Sequence, residues 1–348
     1  MTIKIGNREV GEGKPPFIIA EIGSNWRTLE DCLTSIALAK ASGADAVKFQ
    51  AFTAEALYGN GPHLEGAQVG TLPLDWLPTL KAKADSVGIE FMCTAFSPEL
   101  VDAVDPFVNV HKVASAEMTH VRILERIRAT GKPVFMSTGA SSGGDIRKAL
   151  AVLQECNDDT YNHDKCNRAH TSVVLLYCVA AYPARRVRMS RIGMLKDNFN
   201  LPVGFSDHTT DVITIPWFAT IVYGACVIEK HVNFIEGLVS PDSPHSLSSD
   251  EFKEMCFWIN RKVQSSGTLG DLGPTVEENP FILRHNRRLI ATKDIQVGDT
   301  LEEGKNFGIH RSLKDDRHGY SPFKVVDVHG RSALKPIQAG DSIGPGDV

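Results

Sequence analysis

The first two-thirds of the chain repeat one pattern eight times, and this repetition limits the folds open to it. Each unit is a short apolar run rich in β-branched residues, then a polar loop, then a stretch with helical spacing. The first residues of successive runs lie 20 to 44 positions apart, which suits a strand plus a crossover helix. The runs occupy residues 17–23, 46–50, 90–96, 110–115, 133–139, 172–178, 202–208 and 226–232.

Eight such units predict a (β/α)8 TIM barrel of the α/β class, which we place at residues 1–265. A doubly wound parallel sheet is the alternative, but it calls for a Gly-rich first turn, and no GxGxxG follows the first run. Helices are expected at 29–41 and 76–87, because each stretch ends beside a glycine, Gly43 or Gly88. The polar segment 157–170 is expected to form a surface loop.

The end of the chain differs from the barrel repeats. Residues 266–283 are rich in Gly, Ser and Pro and predict a linker. Beyond it, short strand-like pieces at 288–292, 295–301, 325–328 and 337–343 are separated by Gly turns. We therefore expect a small β-rich domain over residues 284–348.

The overall charge excludes some classes of partner. The net charge is −5, whereas nucleic-acid and membrane-surface proteins usually carry basic excess. We find neither an apolar run of 18 residues nor a basic segment followed by an apolar one at the start. The composition indicates a cytoplasmic protein whose partners are small molecules.

Polar side chains recur where the predicted strands end. Because active sites of TIM barrels lie at the carboxyl ends of the strands, these residues are candidates for one shared site. They are Glu21, Asn25, Lys48, Gln50, Thr94, Lys112, Ser115, Glu117, Ser137, Tyr182, Ser206, His208 and His231.

The residue types indicate the chemistry. Two lysines supply charge and several hydroxyls supply directional hydrogen bonds, a set that suits a phosphate and a carboxylate. His208 and His231 end adjacent strands and could share a divalent metal, although two histidines alone are a weak signal. Glu21 and Glu117 are candidates for acid–base work. Of the neighbours Glu229 and Lys230, at most one faces the barrel interior, and neither is assigned a role.

Other functions stay open at this stage. A Schiff-base aldolase could use Lys48 or Lys112, since a buried lysine can be a nucleophile. A non-catalytic protein whose C-terminal module binds a glycan is a further alternative. The histidine pair and the hydroxyl cluster favour a metal-assisted synthase.

Together these motifs resemble the sialic acid synthases, a family that includes N-acetylneuraminate, legionaminate and pseudaminate synthases. The resemblance rests on FIIAEIGSN at 17–25, GADAVKFQ at 43–50, HKVASAE at 111–117, MSTGA at 136–140, LLYCVAAYP at 175–183, GFSDHT at 204–209 and VIEKHV at 227–232. The tail resembles the family's antifreeze-like (SAF) domain, through RRLIATKDIQVGDTL at 287–301 and GYSP at 319–322.

The resemblance implies a carbon–carbon bond-forming transferase. It would condense phosphoenolpyruvate with an N-acetylated amino-sugar aldehyde and use Mn2+ or Mg2+ held by His208 and His231. Asn25 and Gln50 are further candidates for substrate binding. Phosphoenolpyruvate would contact Thr94, Lys112, Ser115, Ser137 and Ser206, while the sugar and the reacting centre would be lined by Glu21, Lys48, Glu117, Tyr182 and Asp242.

The resemblance also implies a domain-swapped homodimer, in which the antifreeze-like domain covers the partner's site. An arginine of that domain would contact the sugar, and Arg311 and Arg317 are the candidates. Of these, we favour Arg311.

Several positions depart from the family pattern. Trp26 and Thr28 replace a His and a Gly after the first strand, Ala180 replaces an Asn that helps to bind phosphoenolpyruvate, and Ile235 lies where a charged pair is usual. The chain could compensate elsewhere, could accept a sugar other than N-acetylmannosamine, or could have reduced activity. The departures cluster where the sugar should lie, and this motivates the second hypothesis.

Overall fold

Eight parallel strands close into a barrel in the computed structural model, which describes residues 1–59, 70–156, 172–265, 273–312 and 319–348. The predicted surface loop at 157–170, part of the predicted linker and Arg317 lie outside the described residues. The chain divides into two units, Met1–Leu269 and Gly270–Val348. Within the described ranges, no helix has the length and hydropathy to cross a membrane.

The barrel confirms the predicted fold class. Its strands pair in chain order, and the last strand also pairs with the first, so the sheet is closed. The eight strands are β3 (Phe17–Glu21), β4 (Ala46–Ala51), β5 (Glu90–Ala95), β6 (His111–Val113), β7 (Val134–Ser137), β8 (Val173–Cys178), β9 (Val203–Asp207) and β10 (Val227–Asn233).

Helices follow the strands, as the crossover connections require. Their apolar faces pack on the outside of the sheet and form the main core. The described helices of this unit are α1 (Leu29–Ala41), α2 (Ala54–Tyr58), α3 (Leu77–Val87), α4 (Pro98–Val104), α5 (Val121–Thr130), α6 (Gly143–Leu153), α7 (Ser190–Phe199), α8 (Thr214–Ile221) and α9 (Ser249–Ser265).

Short strands outside the barrel shape its two ends. An antiparallel hairpin of β1 (Thr2–Ile5) and β2 (Arg8–Gly11) places Ile5 and Val10 in one buried cluster with the barrel residues Phe17 and Phe135. At the other end, β11 (Leu247–Ser248) extends the sheet beside β10. The hairpin thus packs against side chains near the start of the strands, and the opposite end carries the polar residues.

The second unit is small and has its own core around Leu289, Phe307 and Ile343. The strands β12 (Arg287–Ala291) and β13 (Phe307–Arg311) pair antiparallel, and the helices are α10 (Asn279–His285) and α11 (Val325–Val328). This confirms a β-containing C-terminal unit, whereas its assignment as an antifreeze-like domain stays a prediction.

Two details of the predicted tail are wrong. Residues 325–328 form α11 and no strand, because Val325 and Val328 turn inward with helical spacing while Val326 is exposed. The pieces at 295–301 and 337–343 make only isolated bridges, including Ile295 with Ile337, and β13 was not foreseen. Glycine turns interrupt both pieces, so continuous ladders do not form.

Candidate functional site

A small cavity opens where the barrel strands end, and eleven of the predicted residues line it together. Its remaining lining residues are Phe96, Ala114, Cys178 and Glu229. The eleven are Glu21, Lys48, Gln50, Thr94, Lys112, Ser115, Ser137, Tyr182, Ser206, His208 and His231. Parallel strands bring their carboxyl ends to one face, which is why residues more than 200 positions apart meet there.

Lys48 lies at the centre of one half of the cavity. Its Nζ atom is 2.7 Å from Glu21 Oε2 and donates a hydrogen bond of 2.9 Å to Thr94 Oγ1. The Gln50 amide donates to the other Glu21 oxygen at 2.6 Å. The ammonium and the carboxylate are therefore held in fixed positions before any ligand binds.

Lys112 has the corresponding place in the other half. Its Nζ atom donates to Ser137 Oγ at 2.8 Å and lies 3.7 Å from Glu229 Oε1. The same Glu229 oxygen accepts a hydrogen bond of 3.0 Å from Ser206 Oγ. Glu229 also lies 3.7 Å from Lys48, so one buried carboxylate stands between the two lysines.

Glu229 is a site residue that the sequence analysis did not assign. Successive side chains of a strand point to opposite faces, so the inward direction of His231 also predicts that Glu229 points inward. Its neighbour Lys230 points the other way and donates to Asp207 Oδ2 at 2.7 Å, with both side chains fully buried. Strand alternation was the signal that could have identified Glu229.

The two lysines and the two glutamates of the cavity differ in protonation. Burial raises the pKa of Glu21 to about 7, although Lys48 opposes the shift. Burial opposes the ionised form of Glu229 too, but Lys112 and Lys48 hold the pKa of Glu229 well below its ordinary value. Burial lowers the pKa of Lys112, whereas the two carboxylates overcome burial and raise the pKa of Lys48. Of these four groups, Glu21 is the one whose pKa lies near neutrality.

His208 and His231 are arranged as neutral imidazoles. Their ring centroids are 5.6 Å apart, and burial lowers the pKa of His208 to about 4 and that of His231 to about 3. The Nδ1 atom of His208 is 2.9 Å from the Val179 carbonyl, to which it donates when protonated there, and this leaves the Nε2 lone pair available. Neutral imidazole is the form that binds metal ions.

A carboxylate and a third imidazole lie beside His231. One possible ligand atom from each of His231, Asp242 and His245 lies within 4.8 Å of the other two. The Nδ1 atom of His231 is buried without a hydrogen-bond partner. The turn at Gly23 permits this approach, because a Cβ atom there would lie 2.3 Å from Asp242 Oδ2. The donor set fits a divalent cation.

Comparisons with known proteins agree with this geometry. A sequence profile of the NeuB family matches residues 35–270. The chain is 32% identical over 350 residues to an N,N'-diacetyllegionaminic acid synthase of Campylobacter jejuni, covering 95% of this chain and 99% of that protein. The chain belongs to the NeuB family.

Further relatives support the family assignment. A pseudaminic acid synthase of Campylobacter jejuni is 30% identical over 99% of both chains. The crystal structure of an N-acetylneuraminic acid synthetase from Leptospira borgpetersenii has a TM-score of 0.72 at 27% identity, covering 81% of this chain and 95% of that one. The relatives are sugar-acid synthases, and this NeuB protein is accordingly an enzyme of the synthase type.

Four predicted residues of this NeuB protein do not line the cavity. Asn25 is fully buried, and its amide donates to the Val232 carbonyl and to Ser246 Oγ, so it joins two loops. Glu117 is half-buried in a 3-10 turn, where burial raises its pKa. Asp242 lies beside His231, as described above, and Arg311 ends β13 of the second unit.

The structure gives the neighbours of two residues that depart from the family pattern, Trp26 and Ala180. Trp26 packs edge-on against Trp76, with ring centroids 5.6 Å apart, and its indole N–H donates to the Gly23 carbonyl. Ala180 is exposed beside Gly139, whose added Cβ would lie 3.3 Å from the Ala180 methyl group. Gly139 and Ala180 are small, and an Asn side chain at position 180 would extend farther toward Ser115. The Ser115 hydroxyl accepts the Gly139 N–H.

Proposed function

We propose that this protein condenses phosphoenolpyruvate with the aldehyde of an N-acetylated amino sugar, giving a nine-carbon acid of the sialic type and phosphate. The observation that carries the proposal is the pair of buried lysines, each bonded to a hydroxyl and both beside Glu229, in a cavity that also presents two imidazoles. The names of the relatives, which are sialic-, legionaminic- and pseudaminic-acid synthases, support the same product class.

Phosphoenolpyruvate is assigned to the half of the cavity around Lys112. A trianionic ligand needs cationic and hydroxyl donors, and Lys112, Ser137 and Ser206 supply them within one hydrogen-bonded group. Lys48 and Thr94 add a second ammonium and hydroxyl, and Ser115 lies at the rim. Because these side chains are already ordered, binding costs little side-chain entropy.

The reaction balances with water as the third reactant. C3 of phosphoenolpyruvate attacks the aldehyde carbon, and the aldehyde oxygen takes up a proton to become a hydroxyl group. Water adds to C2 of the resulting cation and loses a proton. The C2–O bond to phosphate then breaks as the C2 hydroxyl loses its proton and becomes the keto group. Glu21, with a pKa raised to about 7 by burial, can take the proton of the adding water. Lys48 holds the Glu21 carboxylate in place, and Gln50 fixes its other oxygen.

A divalent ion, Mn2+ or Mg2+, would be held by His208 and His231. When bound, such an ion polarises a carbonyl oxygen as a Lewis acid. The neutral state of both imidazoles and the unpartnered Nδ1 atom of His231 fit this role. Tyr182, which stacks on His208 with centroids 4.1 Å apart, is assigned to the sugar side together with Asp242.

The acceptor sugar is proposed to differ from N-acetylmannosamine. Trp26 and Ala180 depart from the family pattern in the segments that follow β3 and β8, and relatives named for legionaminic and pseudaminic acids reach 32% and 30% identity. A panel of aldehyde sugars, read by mass spectrometry of the product, tests this. Turnover of N-acetylmannosamine at or above that of the diacetamido-trideoxyhexoses would contradict the preference.

A Schiff-base aldolase is the second candidate, and one observation favours it. Burial lowers the pKa of Lys112, as a nucleophilic amine requires, whereas the pKa of Lys48 is raised by its carboxylates. Borohydride with pyruvate would trap a covalent adduct on an aldolase. We expect no adduct and complete loss of turnover with a chelator, whereas an adduct on Lys112 would replace the synthase proposal.

The second unit is proposed to act as an antifreeze-like domain in a domain-swapped homodimer, with Arg311 contacting the sugar bound to the partner. This proposal rests on the family resemblance of residues 287–301 and on the position of Arg311 at the exposed end of β13.

A further inference from the structure

We propose that His245 and Asp242 join His231 as ligands of the divalent ion, and that the added imidazole makes the site prefer Co2+ or Zn2+ to Mg2+. The inference rests on the metal of the proposed function and adds ligands and a selectivity to it. His245 lies outside the barrel strands, in the turn Ser243–His245, and is 4% exposed.

The distances fit a shared ion. His245 Nε2 lies 3.4 Å from Asp242 Oδ1. Two donors that each lie about 2.1 Å from one ion are roughly 3.0 to 3.4 Å apart at angles between 90° and the tetrahedral value. The rings of His231 and His245 have centroids 4.7 Å apart, so both imidazoles face the same space.

Two buried nitrogens lack a hydrogen bond, although His245 Nε2 has the 3.4 Å contact with Asp242 Oδ1. His245 Nε2 and His231 Nδ1 are both buried without a hydrogen bond of ordinary geometry. Leaving a buried polar atom unpaired costs about 1 to 3 kcal/mol, so two such atoms in residues whose possible ligand atoms lie within 4.8 Å of one another favour a bound ligand. A divalent cation would accept one lone pair from each nitrogen and would satisfy both.

Asp242 is held as a ligand carboxylate would be. Its Oδ2 atom accepts the backbone N–H of Ser24 at 2.7 Å and the Ser24 hydroxyl at 2.8 Å. These donors orient the group and leave Oδ1 directed toward His245. Hydrogen bonds of this kind from surrounding residues are typical of metal-binding carboxylates.

The donor types determine the expected selectivity. Imidazole nitrogens favour Zn2+, Co2+ and other transition metals, whereas Mg2+ prefers oxygen ligands and retains water. Each added imidazole therefore increases the advantage of Co2+ over Mg2+. Without His245, the group would keep one imidazole and one carboxylate, and it would discriminate less.

Metal binding by the full-length protein tests the inference without turnover. After removal of bound metal with a chelator, Co2+ and Mg2+ are titrated separately, with calorimetry and the visible absorption of Co2+ as readouts. We expect His245→Ala to weaken Co2+ binding by at least about tenfold and to change the Co2+ spectrum, with a smaller effect on Mg2+. His245→Gln, which keeps a polar side chain, should act in the same direction if His245→Ala folds poorly.

The matched control is His120→Asn, on an exposed histidine that accepts the Ile123 N–H at the start of α5. Asparagine keeps an acceptor there, so this variant should bind Co2+ like the wild type.

Co2+ affinity of both His245 variants within twofold of wild type would overturn the inference and show an ordinary His–Asp pair. Such a result with metal-dependent phosphate release intact would leave the proposed function standing. Conversely, His245-dependent Co2+ binding without any phosphate release would remove only the proposed function.

Discussion

At the scale of single residues, Glu229 is the carboxylate shared by the two lysines of the cavity. It lies 3.7 Å from both ammonium groups and accepts the Ser206 hydroxyl. Without its charge, two buried ammonium groups would face each other with only Glu21 to compensate them. The Glu229 carboxylate therefore compensates both lysines, and protonation of Glu21, whose pKa is raised to about 7 by burial, would leave net positive charge for an anionic substrate.

Glu229→Gln should lower kcat by at least about tenfold, because an amide cannot hold both lysines and the serine hydroxyl in place. KM for phosphoenolpyruvate should change less, since the variant also removes a negative charge near the bound anion. Phosphate release measured over a range of phosphoenolpyruvate concentrations separates the two parameters. Glu254→Gln, on the exposed side of α9, is the control; wild-type kcat in Glu229→Gln would contradict the assignment.

The buried pair of Lys230 and Asp207 stabilises the loop that carries His208. Lys230 Nζ also donates to the carbonyls of Thr209 and Asp211. Lys230→Met leaves a buried carboxylate unpaired and should lower the free energy of unfolding by about 3 to 5 kcal/mol. Adding Asp207→Asn should restore part of that loss in urea unfolding. Strictly additive losses would show that the two side chains do not interact.

At the scale of elements, the barrel strands were predictable because both faces of each are buried. The strand predicted at 46–50 is Ala46–Ala51 in the structure, and the helix predicted at 29–41 is Leu29–Ala41. The tail was harder, because its short segments are fixed by contacts between distant residues, such as Ile295 with Ile337. A pair of valines at 325 and 326 suggested a strand, but packing against the small core selected a helix.

The same distinction applies to the site. Residues at strand ends could be placed together from the barrel rule alone. His245 could not, because its loop is held beside His231 by contacts such as that of Ser246 with Asn25, more than 200 positions away in sequence. Asn25 is the opposite case. It follows a strand, and the barrel rule therefore made it a candidate for substrate binding, but its amide joins loops.

Helix α6 begins with a capping box that should contribute measurably to stability. The Ser142 hydroxyl accepts the Asp145 N–H, and the Asp145 carboxylate accepts the Ser142 N–H at 3.0 Å. Ser142→Ala should lower the free energy of unfolding by about 1 kcal/mol. Ser190→Ala, in the first turn of α7, where the side chain makes no cap, is the comparison. Equal melting temperatures for the two variants would show that the cap is not needed.

At the scale of the whole molecule, the chain consists of a barrel unit that contains the cavity and a small C-terminal unit. The barrel unit supplies every residue of the cavity described above. Arg311 is the proposed exception, contributed to the sugar by the partner chain. Its role is the part of the proposed function that depends most on assembly.

Subunit complementation tests that role. Arg311→Ala and His231→Ala should each be nearly inactive, one for lack of a sugar contact and the other for lack of a metal ligand. If Arg311 acts on the partner, co-expressed mixtures should recover roughly a quarter of wild-type activity, since half of the dimers then contain one intact site. Activity no higher than that of the parent variants would show that Arg311 does not act across a dimer.

The central claim is that phosphoenolpyruvate and an amino-sugar aldehyde are joined in the barrel cavity. The most direct test measures phosphate release and product mass together, with phosphoenolpyruvate, Mn2+ and each sugar of the panel. The account predicts one phosphate per product, a product mass equal to the sum of both substrates and water minus phosphate, and no release when sugar or metal is omitted. Phosphate release that is independent of sugar, or no joined product from any sugar tested, would contradict it.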